Sequence, residues 1–185
     1  MIRIDIDDRA VLRVLSDLLR RVSDPAPALR DIGEYLVAST RRRFGAGLAP
    51  DGTPWAPNSP VTIMRHLGKY GGSFRRRGGG LTKKGAARAA AKRPLIGETR
   101  RLSSEIAYRL IPRGVEVGSS LVYSAVQQLG ARRGQFGRTR RGAPIPWGDI
   151  PARPFLGIST QDRDRIIAII ADAILRAGRR TRNPI

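Results

Sequence analysis

The side chains that could do chemistry in this sequence are overwhelmingly arginines. Arg75, Arg76 and Arg77 stand as an unbroken triplet between two glycine clusters, and Arg132, Arg133, Arg138, Arg140 and Arg141 crowd a second segment. A guanidinium is a planar fork of donors that fits a phosphate or a carboxylate through paired hydrogen bonds, so both groups are candidate contacts for DNA or an acidic protein. The whole chain points the same way: 35 Lys+Arg against 15 Asp+Glu give a formal charge of +20 over 185 residues. A charge that far from zero implies an acidic partner, and composition does not choose among nucleic acid, an anionic membrane and an acidic protein surface.

Other chemistries lack their residues. There is one histidine, His66, and no cysteine, which leaves no thiol nucleophile, thiolate metal site, disulfide or histidine-based triad to assemble. His66 has no acid close by in sequence and fits a surface or packing role. Asp51-Gly52 resembles the start of a calcium loop but lacks the further carboxylates that such a loop needs. The glycine clusters lack the strand before and the helix after that would aim backbone amides at a phosphate. The expectation is a protein with no catalytic residues, no cofactor and no metal. No run approaches the roughly 20 apolar residues of a membrane span, and the N-terminal residues lack the apolar core of a signal peptide, so assembly in a cytoplasm without a membrane partner is expected.

The elements that must position the arginines can be read in order. Length fits a single domain over 1–185. Ile2, Ile4 and Ile6 alternate with charged residues as a short strand does, and Val11, Val14, Leu15, Leu18, Leu19 and Val22 recur at helical spacing, with Asp7 or Asp8 as cap. Leu29, Ile32, Leu36 and Phe44 mark a second helix that has proline in its first turn and ends at the glycines of 45–47. Arg41, Arg42 and Arg43 fall in its last turn, read as a solvated basic end. The loop Asp51-Gly52-Thr53-Pro54-Trp55-Ala56-Pro57 holds a tryptophan that either staples the loop to the core or anchors a partner. Ser59 and Pro60 open a short helix through Leu67.

Residues 68–93 read as a flexible basic insertion, with Tyr70 and Phe74 among its cations and an alanine-rich helical second half from Thr82. The alternation of Ile106, Tyr108 and Leu110, answered by Val115 and Val117 across Pro112-Arg113-Gly114, predicts a hairpin. A helix follows from Val122 to Leu129 with a Gly130 cap, carrying Tyr123, Gln127 and Gln128 as polar handles. A basic loop occupies 131–143. Pro151 and Pro154 make 150–157 an extended crossover. A final helix over 160–177 uses Ile166, Ile167, Ile169, Ile170, Ile174 and Leu175 as its apolar face, caps at Gly178 and leaves 179–185 as a disordered tail.

Three landmarks in fixed order are similar to the phage virion morphogenesis, or tail completion, family of Mu-like and related temperate phages. They are the 51–57 loop, the block from Val115-Glu116-Val117-Gly118-Ser119 to Tyr123-Ser124-Ala125-Val126-Gln127-Gln128-Leu129-Gly130, and 150–157. The resemblance covers most of the chain. Gln127 and Leu129 depart from the histidine and phenylalanine frequent in the family. It implies an α+β fold, an antiparallel sheet of about three to four strands packed by N-terminal helices and a long C-terminal helix. It also implies a structural, non-enzymatic virion protein of the tail's head-proximal end or neck, closing as a ring, commonly hexameric, against neighbouring tail, neck and connector proteins.

On that model Trp55, Tyr123, Gln128, Arg153 and Phe155 are candidate subunit or partner contacts, although Trp55 and 153–155 could equally hold the monomer's own core. The arginine-rich loops would meet acidic rings or DNA crossing the lumen. The rival is a basic nucleic-acid-binding module acting through the same loops; its arginines are not arrayed along one recognition helix.

Overall fold

A computed structural model describes residues 9–22, 24–112 and 114–182. The strand expected at Ile2, Ile4 and Ile6, its neighbouring caps Asp7 and Asp8, turn residue Arg113 and residues 183–185 lie outside them.

Helix α1 (Arg9–Arg21), helix α2 (Ala26–Ala46) and the last helix, numbered α7 (Thr160–Arg182) in chain order, share one apolar cluster. Leu18, Ala28, Ile32, Ile166 and Ile170 are its buried members, and Val11, Val14, Leu15 and Val115 pack around them. The spacing of apolar residues by three and four puts them on one stripe of each helix, and burying that stripe is what holds three such helices together. Leu175 falls off the stripe and is exposed, so the apolar face of α7 is narrower than expected. The helix also runs past Gly178 to Arg182, where arginine is a good helix former.

The second cluster sits at the C-terminal end of α2 and joins distant segments: Phe44, Ala49, Trp55, Leu102, Ile106, Phe155 and Leu156. Leu102 comes from a one-turn helix, α5 (Arg101–Ser104), and Ile106 from strand β1 (Ile106–Ile111). Strand β1 pairs antiparallel with β2 (Gly114–Ser119), Tyr108 facing Val117 and Leu110 facing Val115. Helix α2 crosses the sheet at Gly33, where a Cβ would lie 2.4 Å from the Tyr108 ring, so only glycine admits the tyrosine.

The sheet has two strands among the described residues, fewer than the three to four expected. In the extended segment 150–157 the backbone groups of Phe155 and Leu156 pair with the Gln128 side chain and not with a neighbouring strand. Three further short helices complete the chain: α3 (Pro60–Gly68), α4 (Lys83–Ala91) and α6 (Ser124–Leu129). Ser59 and Thr82 cap α3 and α4 by accepting from Thr62 N and Gly85 N.

Candidate partner-binding site

The 51–57 loop is a tight turn built by its own sequence. The Asp51 carboxylate accepts from the Thr53 amide at 3.0 Å and from the Thr53 hydroxyl, an Asx turn rather than a cation loop. Those hydrogen bonds hold the Asp51 carboxyl below its ordinary pKa. Ala49 N donates to Thr53 O and Trp55 N to Gly47 O, so the turn delivers Trp55 back onto Phe44, edge to face at 5.3 Å. The indole N–H then donates to Pro154 O at 2.7 Å. Arg153 fastens the same junction from the other side, giving Nε to Ala56 O at 2.7 Å and Nη2 to Pro57 O at 2.8 Å. Burial pushes the Arg153 pKa down. The prolines on both segments matter here, since their extended backbones leave carbonyls free to accept.

Gln128 completes the junction. Its Oε1 accepts from Phe155 N and Leu156 N, and its Nε2 donates to Leu156 O at 3.0 Å. One amide thus does the pairing that a neighbouring strand would do, while Arg153 N donates to Gln127 O. Gly130 allows the close approach, because a Cβ there would stand 2.7 Å from Ile150 O. Of the five expected contacts, Trp55, Gln128, Arg153 and Phe155 are therefore buried within the monomer and offer a partner little surface; Tyr123 is 46% exposed.

Arg43 corrects the expected basic helix end. It is buried and paired with Asp162, and its Nη1 donates to Phe155 O and Gly157 O. Asp162 also accepts from Ser39 Oγ and from the amide and hydroxyl of Ser159, whose Oγ accepts in turn from Asp162 N at 3.1 Å, a reciprocal cap for α7. Burial opposes ionisation of Asp162, but the Ser39 and Ser159 hydrogen bonds and the Arg43 charge outweigh it and hold the carboxyl below the ordinary range. For Arg43 burial dominates and lowers its pKa.

The exposed chemistry lies elsewhere. Residues 131–150 form a long, irregular hairpin: Ala131 and Ile150 exchange both backbone hydrogen bonds, Phe136 N donates to Ile145 O, and Thr139 N donates to Ala143 O. Arg132, Arg133, Arg138, Arg140 and Arg141 are all exposed on it. Phe136 and Trp147 are exposed on the same hairpin, and Val122, Tyr123 and Leu129 are exposed at the two ends of α6. Sequence reasoning passed over Phe136, Trp147 and Val122; a tryptophan after proline inside an arginine-rich loop was the available signal.

The insertion 68–93 carries hydrogen-bonded turns as well as the helix expected in its second half, α4. Phe74 and Leu81 form an antiparallel bridge, and Thr82 Oγ1 donates to Gly72 O at 2.6 Å. Arg88 donates to Gly71 O and Ser73 Oγ and lies over the Tyr70 ring. Arg75 Nε turns back to Leu81 O, while Arg76 and Arg77 stand exposed at the tip.

Among the described residues, no group of three or more His, Cys, Asp and Glu could hold a metal ion, and no helix is long and apolar enough to cross a membrane. No curated protein and no solved structure matches the chain. The model of the phage virion morphogenesis family matches residues 6–175, nearly the whole chain, and this protein is a member of that family.

Proposed function

We propose that the chain is a structural protein of the tail's head-proximal end or neck, one that closes as a hexameric ring and joins head to tail. Membership of the virion morphogenesis family carries the proposal and favours a structural over a catalytic role. A ring that closes by rotation needs two different complementary patches on each subunit. The exposed apolar surface of Val122, Tyr123, Leu129 and Trp147 is suited to be one, and Val61 and Met64 on α3 are suited to be the other. The arginine-rich loops then face acidic neighbouring rings or DNA in the lumen.

Sedimentation velocity of nuclease-treated protein tests the ring: a discrete ring-sized species is expected, and a strict monomer at every concentration, absent from the neck of imaged virions, overturns it. Replacing Arg75, Arg76 and Arg77 by Ala should leave folding intact and impair head-to-tail joining. Unchanged infectious titre sinks that role for the triplet. One observation favours a second reading, nucleic-acid binding: Phe136 and Trp147 stand exposed among five arginines, as stacking aromatics do in single-strand binders. Sequence-dependent DNA binding that survives moderate salt would make that the main function.

A further inference from the structure

An open basic groove lies between the C-terminal end of α2, helix α4 and the 95–104 segment. Its volume is about 970 Å³, and Arg41, Arg88, Lys92, Arg93 and Arg100 line it. A smaller cavity of about 340 Å³ adjoins it, sharing His66, Lys92, Gly97 and Glu98 and adding Arg65 and Lys69. Glu98 is the one carboxylate on these walls, and it is already engaged by Lys69 at 2.8 Å. The combined groove therefore has a large uncompensated positive charge.

Four of its cations are fixed in place by carbonyls. Arg41 donates to Ser104 O and Ile106 O, Arg88 to Gly71 O, Lys92 to Ile96 O and Arg93 to Gly45 O. A carbonyl orients a cation without cancelling its charge, and these bonds leave free donors on each group, which has five in arginine and three in Lys92. The cations are thus held ready for a second, anionic acceptor. The backbone beside them is also unusual: Leu95 at φ 59° and Arg100 at φ 51° are the non-glycine residues with left-handed backbone among those described. Bulky side chains rarely adopt that region, and where they do the strain concentrates at binding and switch sites.

We infer that this groove binds an extended acidic segment of a partner protein. A duplex presents a convex, regularly spaced backbone, which matches a recessed groove with irregularly placed cations less well than an extended peptide does. Single-stranded nucleic acid finds few stacking partners here: the aromatic rings on these walls are Phe44, which is buried, and His66, which meets the Tyr70 ring, while Tyr70 itself is 39% exposed but carries Arg88 over its ring. Carboxylates on a flexible main chain reach into such a groove and meet forked donors in paired geometry. The groove lining includes none of the exposed arginines of the two loop tips, and its occupancy does not depend on the proposed ring.

The test is fluorescence anisotropy with a short labelled peptide alternating Glu and Ser, a Lys and Ser counterpart, and a labelled single-stranded oligonucleotide. Two variants change the charge equally: Arg65→Glu with Arg100→Glu in the groove, and Arg76→Glu with Arg77→Glu at the loop tip. The wild-type protein should bind the acidic peptide one to one and ignore the basic one. The groove variant should bind it at least about tenfold more weakly, and the loop variant less than about threefold. Absence of wild-type binding, equal losses in both variants, or displacement of the peptide by the oligonucleotide overturns the site. Circular dichroism checks folding; if the groove variant unfolds, Arg65→Gln with Arg100→Gln takes its place. Ring formation and head joining are read by sedimentation and titre, so failure here is distinguishable from failure there.

Discussion

Trp55 and Trp147 each follow a proline in a loop, yet Trp55 is 6% exposed and Trp147 is 74% exposed. The regions around them differ in the same way. Around Trp55 the buried polar side chains meet partners far along the chain: Arg153 meets Ala56 and Pro57, Gln128 meets Phe155 and Leu156, and Arg43 meets Asp162. Around Trp147 the hairpin closes on itself through backbone bonds and leaves its arginines outward. Arginine is thus a buried fastener in one region and a surface charge in the other, and the carbonyls and carboxylates within reach decide which. A guanidinium buried in this way contributes specificity of docking, and removing its partner leaves an uncompensated charge.

That contrast can be broken by mutation, most severely at its centre. Phe155→Ala removes a fully buried ring that contacts Phe44, and denaturant melts should show a loss of about 4 kcal/mol. Arg43→Ala strands Asp162, and about 3 kcal/mol should disappear in the same measurement. The pH dependence sharpens this. Asp162 has a folded pKa below its unfolded value near about 3.9, so its contribution is present above that value and is lost as pH falls through the folded pKa. The midpoint of thermal unfolding should fall more steeply in acid for wild type than for Asp162→Asn; parallel curves would remove Asp162 from the acid transition.

Gln128→Leu keeps the volume but leaves Phe155 N, Leu156 N and Leu156 O without their partner. A loss of about 2 kcal/mol is expected. The smallest effect belongs to the hairpin: Trp147→Ser should change stability by less than about 0.5 kcal/mol while shifting any ring-sized species toward monomer in sedimentation. If Trp147→Ser destabilises the monomer as Phe155→Ala does, the two regions are not distinct.

Local pattern carried much of this fold. Apolar spacing located α1, α2 and α7, Ser59 and Thr82 sit at helix caps as their residue types suggest, and alternation around 106–117 became the β1–β2 hairpin. Fates that depend on distant partners were not legible. Arg41, Arg42 and Arg43 look alike in sequence, but Arg41 reaches the carbonyls of Ser104 and Ile106, Arg42 lies over Tyr35, and Arg43 is buried against Asp162. The reciprocal cap of Ser159 and Asp162 went unread, and that the same carboxylate would also receive Arg43 from 119 residues away was not legible at all. The cationic groove was equally hidden, because its walls come from 41–45, 62–69, 88–100 and 103–104.

By itself, then, the sequence determined every helix but the one-turn α5, the β1–β2 hairpin, the strongly positive charge and a resemblance that the family match upholds, because each is written in residue spacing or composition over short windows. Tertiary structure alone decided which arginines are buried, which glutamine replaces a strand, which tryptophan faces out and where cations converge. Those outcomes depend on desolvation and on hydrogen-bond partners supplied by remote segments, and a charged or amide side chain goes inside only where such partners offset the cost of leaving water.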